Sequence, residues 1–189
     1  MKKLTFLAML LISISPIFAQ AYQQASAPLI KIEGTSTFHD WHMDSQEGHC
    51  VAVFGFDGVN LTNVPYLSFT LKAESLKSGT KGLNKNAYKS LNTEKYPEIT
   101  YNSKVSTVRG AGANTFLVTS KGSLTIAGVT KEVWIPVTCI LNPADMTVHA
   151  TGSYKLKMSE YNVSAPSFMF GAMKTGDEIT IKFDVTLKK

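Results

Sequence analysis

The 189-residue sequence holds none of the short motifs that mark common catalytic sites. There is no Gly-x-Ser-x-Gly elbow, no His-Glu-x-x-His zinc motif and no phosphate loop. Ser, His and Asp can be grouped in many chains of this length and carry no weight here. An enzyme is not expected. Long hydrophobic runs are also missing beyond the N-terminus: nothing later approaches the roughly 20 apolar residues that a spanning helix needs. Charge of one sign is scarce. The formal excess of +5 includes Lys2 and Lys3, and without them it is +3, too little to argue for a nucleic-acid partner. Internal repeats, low-complexity segments and linkers are absent. Only two cysteines occur, Cys50 and Cys139.

The N-terminus has the form of an export leader. Lys2 and Lys3 open it, Leu4–Ile14 is apolar apart from Thr5 and Ser13, and Ala19 or Ala21 offers a cleavage point. No Cys follows the apolar run, so a lipid anchor is not expected. The expected organisation is a signal peptide over 1–21, a flexible N-terminus over 22–28, and one domain over 29–189, periplasmic or secreted. A chain of this size can bury a real core.

Eight strand-like segments follow, at about 29–42, 47–57, 64–76, 97–109, 114–127, 131–142, 146–158 and 176–188. Polar turns separate them, as at Gly110–Asn114, Ala127–Lys131 and Asn142–Asp145. Alternation is clearest late in the chain. Ile179, Ile181, Phe183, Val185 and Leu187 face one way, and Thr180, Lys182, Asp184, Thr186 and Lys188 the other. Val148, Ala150, Gly152, Tyr154, Leu156 and Met158 form the next dry face. Such strands suit an antiparallel sheet with one wet side. Closing eight of them gives a barrel that either packs itself or holds one small ligand. The fold class is therefore all-β with one short helix: an eight-stranded antiparallel up-and-down barrel.

Small residues fall at inward positions: Ser36, Ala73, Ser103, Ser120, Gly122, Ala150 and Gly152. Either they leave space in the lumen, or they complement large neighbours such as Phe116, Tyr154 and Phe183. The helix lies near 81–91, where Leu83, Ala87 and Leu91 recur every four residues with Tyr88 beside them. Ser78 or Thr80 can cap it. It is expected over the barrel wall or mouth, apolar side inward. Lys77, Lys81, Lys85 and Lys89 form a row on its other side. That row is either a solvated face or a contact for a phosphate head group or an anionic membrane. Cys50 and Cys139 fall on the second and sixth strands, which face each other across such a barrel. A bridge needs Cα atoms within about 7 Å, so a disulfide and buried free thiols both stay open.

Five segments, in this order, resemble the YceI-like family of exported lipid-binding proteins. They are GTSTFHDWHM (34–43), SLKSGTKGLNKNAYKSLNTEKYPEITY (75–101), GSLTIAGVTKEV (122–133), KMSEYNVSAP (157–166) and KTGDEITIKFDV (174–185). The resemblance implies a lipocalin-like barrel that binds polyisoprenoid or similar long-chain lipid, with no catalytic residue and no cofactor. Members of the family can pair into dimers, so a homodimer is open to this chain, and the lysine row leaves a transient membrane contact open. The inward residues that would then line the ligand site are Phe38, Leu67, Phe69, Leu71, Ile99, Tyr101, Phe116, Val118, Ile126, Ile135, Tyr154, Leu156, Ile181 and Phe183. Phe168 and Phe170, in the segment PSFMFGAM (166–173), would form an apolar flap at the mouth or a loop packed on the wall. His39, His42, His49 and Cys50, with Asp40, Asp44 and Glu47, are rich in metal-ligand types. Their strand spacing sends His39 and His42 to opposite faces, so no metal site is expected. The rival to lipid binding is an envelope stress or interaction module whose barrel is filled by its own side chains.

Overall fold

Period-two alternation governs the chain almost end to end, and the backbone follows it. The computed structural model describes residues 20–37, 39–168 and 173–189. The strands are β1 (Gln20–Gln24), β2 (Leu29–Ser36), β3 (Trp41–Ser45), β4 (His49–Asp57), β5 (Asn60–Lys72), β6 (Glu98–Gly112), β7 (Thr115–Ile126), β8 (Val129–Asn142), β9 (Thr147–Lys157), β10 (Ser167–Phe168) and β11 (Met173–Lys188). One α-helix, α1 (Lys81–Leu91), and two 3-10 turns, Ala73–Ser75 and Met158–Tyr161, interrupt them. The strand pairings are antiparallel throughout.

The first four strands are two broken staves. β2 pairs with β3 from Ile30–Ser45 to Gly34–Trp41, and β1 pairs with β4 from Gln20–Phe54 to Gln23–Val51. Together they make one long hairpin with a kink at 25–28, opposite 46–48. Pro28 has no N–H to give to a ladder, and it is buried against the Gly48 backbone. From β5 onward each stave is a single strand, running β5-β6-β7-β8-β9-β11. β11 then pairs with both halves of the first stave, Asp184 with Leu29 and Leu187 with Gln24. The result is a closed ring of eight staves, the expected up-and-down lipocalin-like barrel. Closure removes the sheet edges that would otherwise invite aggregation.

Two expectations about the N-terminus are corrected. Alternation runs unbroken through 29–42 and suggests one strand, but the chain turns between Ser36 and Trp41. There the Ser36 N–H and hydroxyl both donate to the His39 carbonyl, at 3.1 and 2.7 Å, a local competition with the ladder that Ser favours. The flexible stretch assigned to 22–28 contains the end of β1, and Tyr22 there is fully buried. It meets the Phe54 ring edge-on at 5.0 Å. The leader expected over 1–21 lies outside the described residues up to residue 19.

Two apolar clusters fill the barrel at different heights. One, at the mouth end, includes Ile30, Leu71, Tyr101, Leu124, Ile135 and Leu156. The other closes the far end with Tyr22, Phe54, Phe116, Leu141, Val148 and Leu187. Space remains between them.

Candidate functional site: an apolar lumen

The inner faces of β4 to β9, β11 and β2 enclose a cavity of about 130 Å³. Of the residues expected to line a ligand site, Leu67, Phe69 and Leu71 of β5, Ile99 and Tyr101 of β6, Val118 of β7, Ile135 of β8, Tyr154 of β9, and Ile181 and Phe183 of β11 all border it. Alternation brings them together: each is two or four residues from another lining residue of its stave, as Val118 is from Ser120, Ile135 from Val137 and Tyr154 from Ala150. Leu67, Phe69, Tyr154, Ile181 and Phe183 are only half-buried, as groups facing open space are.

Other expected residues go elsewhere. Ile126 and Leu156 border a second chamber, of about 80 Å³, between the barrel mouth and α1. Phe116 sits in the cluster at the closed end and borders neither space. Phe38 and Phe170 lie outside the described residues, as does the side chain of Phe168, so the flap falls there too. The backbone of Ser167–Phe168 pairs with β11.

Several lining residues were not singled out from the sequence. Val137, Val185 and Leu187 continue alternating sets already visible beside Ile135 and Phe183. Ile30, Ile32, Phe54, Val64 and Leu124 also line the lumen. Their signal was the same period of two, hidden in β2 and β4 by the broken staves. Ile32 borders both spaces and marks where they approach each other.

The small inward residues divide between the two roles open to them. Ala150 and Ser120 border the lumen and leave it space. Gly122 and Gly152 instead make way for rings. A Cβ at Gly122 would lie 2.4 Å from the Asn102 carbonyl oxygen and 2.8 Å from the Tyr101 ring. One at Gly152 would lie 2.4 Å from the Phe183 ring and 2.6 Å from the Pro136 carbonyl oxygen. The rings can swing but the carbonyls cannot, since they are part of the wall. Gly152→Val is therefore expected to lower stability by about 1–3 kcal/mol, read as an earlier midpoint in urea.

Polar groups in the lumen are few and mostly satisfied. The Tyr101 hydroxyl donates to the Ser120 carbonyl at 2.9 Å, with the Ser120 hydroxyl at 3.1 Å. Burial raises the Tyr101 phenol above its ordinary range. Cys50 and Cys139 are free, buried, and border the same cavity. Burial pushes both thiols up to about 12. Thiols so held are poor nucleophiles. A thiol reagent at mildly alkaline pH should find neither in the native protein and both after denaturation. The other metal-ligand types scatter: Cys50 faces the lumen, while His39, His42 and His49 are exposed.

Helix α1 roofs the second chamber. Leu83, Ala87 and Leu91 border it, with Trp41, Met43, Leu76 and Tyr161 below. The Tyr88 hydroxyl pins the helix down. It lies 2.7 Å from the Leu76 carbonyl and 2.9 Å from that of Glu74, and accepts from Lys77 Nζ at 2.7 Å. Thr80 is the N-cap but makes no capping bond. Asn84 Oδ1 accepts from both the N–H and the hydroxyl of Ser78 instead, at 2.8 Å each. Asn92, at φ 51°, ends the helix in the left-handed conformation that Asn tolerates.

This arrangement can hold an apolar chain. Among the described residues that line the two spaces none is charged.

Comparison with known proteins agrees with the architecture. The model of the YceI-like domain matches residues 24–187. BcnA of Burkholderia cenocepacia superposes with a TM-score of 0.66 at 24% identity, covering 84% of this chain and 95% of that one. A polyisoprenoid-binding domain from Saccharophagus degradans gives 0.65 at 10% identity, over 88% and 97%. A Campylobacter jejuni YceI protein gives 0.54 at 19% identity, over 76% and 85%. At these identities the structural likeness speaks for the fold. No curated protein matches the chain in sequence.

Proposed function

The chain belongs to the YceI-like family, and from that premise we propose that it binds a long-chain apolar lipid, polyisoprenoid or similar, in the barrel lumen. The observation that carries this reading is the lumen itself, a cavity walled by aliphatic and aromatic side chains with almost no polar group to recruit water. The structural neighbour from Saccharophagus degradans is described as a polyisoprenoid-binding domain, which supports the same ligand class. The proposal is for carriage or sequestration outside the cytoplasm, with no chemistry performed.

The energetics select for length. Burying one CH₂ contributes about 0.8 kcal/mol, while association costs roughly 4–15 kcal/mol before a flexible chain is ordered. A few carbons do not suffice, and several isoprene units or a long acyl chain do. The lumen and the chamber under α1 approach each other at Ile32, which borders both. A chain too long for the lumen alone would extend past the half-buried rings of Phe69, Tyr154 and Phe183 towards that chamber. Native mass spectrometry, then organic extraction and lipid analysis, tests the reading. A stoichiometric long-chain species is the expected result.

One observation favours the rival, an interaction module with a self-filled barrel: the rings of Tyr101 and Phe183 occupy the space over Gly122 and Gly152. A protein that stays bare after incubation with polyprenyl lipids would favour that module.

A further inference from the structure

We propose that helix α1 docks the protein onto an anionic lipid surface through Lys81, Lys85 and Lys89. The helix is eleven residues long, KGLNKNAYKSL, and contains no acidic residue. Its three lysines are exposed, while Leu83, Ala87 and Leu91 on the opposite side border the chamber at the barrel mouth. The charged face therefore points away from the barrel, and the helix lies between that face and the chamber.

An ordinary solvated helix face mixes the two signs at four-residue spacing, because such pairs stabilise it. Here the spacing sets lysine against lysine, Lys81 with Lys85 and Lys85 with Lys89, which is mutually repulsive. Lys81 also sits in the first turn, where the helix dipole disfavours a cation. Elsewhere on the barrel four lysines are neutralised, while Lys72, Lys104, Lys131 and Lys157 make no ion pair among the described residues. Lys31 and Lys182 pair with Glu33, Lys121 with Glu132 and Lys155 with Glu178. Among the described residues no acid lies within ion-pair distance of the three helix lysines. Lys77 belongs to a different arrangement: its ammonium is held by the Tyr88 hydroxyl, with Glu74 and Glu47 near. Glu74 in turn accepts from the Thr93 hydroxyl. The helix thus gives up local stability to keep one sign of charge on one face. Anionic head groups supply the missing counter-charge.

Each lysine at such a surface strengthens association roughly fivefold, and the three together about a hundredfold. That is weak, reversible docking, suited to a protein that loads at a membrane and leaves. It places the α1 end of the barrel, with its apolar chamber, against the source of lipid. The inference goes beyond lumen binding, since an empty barrel would dock equally well.

The test is co-sedimentation of the purified protein with vesicles of phosphatidylcholine alone, or of phosphatidylcholine and phosphatidylglycerol in equal parts. Binding is expected only to the anionic vesicles, and high salt should abolish it. The triple variant Lys81→Gln, Lys85→Gln, Lys89→Gln keeps helix-forming side chains. It should bind about a hundredfold more weakly, with a melting temperature equal to or above the parent's. A control, Lys155→Gln with Lys182→Gln, removes two cations from the barrel wall and should bind as the parent does. The proposal is overturned if the parent ignores anionic vesicles, if the triple variant binds like the parent, or if the control loses as much. Lipid content by native mass spectrometry is read separately, so an empty lumen and a failure to dock are told apart.

Discussion

Replacing Ala150 with Phe is expected to abolish ligand binding while leaving the barrel folded. Ala150 sits on the wall of the lumen, between Cys139 of β8 and Val185 of β11 in register. A phenyl ring there projects into empty space and takes room from at least four ligand carbons. At about 0.8 kcal/mol per carbon that removes about 3.2 kcal/mol of burial, roughly a 200-fold loss of affinity. Competition against a fluorescent polyene or acyl probe would measure it. The melting temperature separates this from damage: filling a void restores dispersion contacts that its lining lacks, so the variant should melt at or above the parent temperature. If affinity is unchanged, the ligand does not occupy the lumen. A large drop in melting temperature would instead mean that the space is already filled.

The second large effect belongs to Tyr22. Tyr22→Ala is expected to cost about 3–5 kcal/mol, as large aromatic truncations in a core do. The side chain is fully buried at the closed end of the barrel, edge-on to Phe54 at 5.0 Å and tilted against Phe56 at 6.1 Å. Its strand is also the one that joins β4 to β11. Tyr22→Phe provides the control. The Tyr22 hydroxyl is buried and meets no hydrogen-bond partner among the described residues. Removing it relieves an unpaid desolvation and should leave stability equal or higher. Urea denaturation of the two variants reads both effects. If Tyr22→Ala unfolds at the parent midpoint, β1 does not hold the barrel closed.

Much of this could be read from the residues. Alternation in β5 to β9 and β11 gave faces, neighbours and much of the lumen, because a period of two has only one solution when one face must be dry. The helix was legible from Leu83, Ala87 and Leu91 and the lysines opposite. What escaped has physical causes. β2 and β3 pair as a hairpin within an alternating run, and the Ser36 to His39 hydrogen bonds mark where the strand gives way. Tyr22 was passed over because it adjoins the leader, where composition outweighs period. The glycines could not be sorted in advance. Whether an inward Gly leaves space or seats a ring depends on the cross-strand neighbour, and register is a property of the whole sheet. Phe116 faces inward as expected, but its height along β7 puts it below the cavity.

The pairing of Leu187 with Gln24 joins nearly the last residue of the chain to nearly the first of the barrel. Contacts so far apart in sequence are the costliest to close and the latest to reward the chain for closing. During synthesis the growing polypeptide can therefore form an open, curling sheet with its apolar side uncovered, but not a container. The interior is complete only when β11 meets β1. A lipid of the proposed kind would then be enclosed as β11 meets β1, or enter afterwards at the end that α1 roofs.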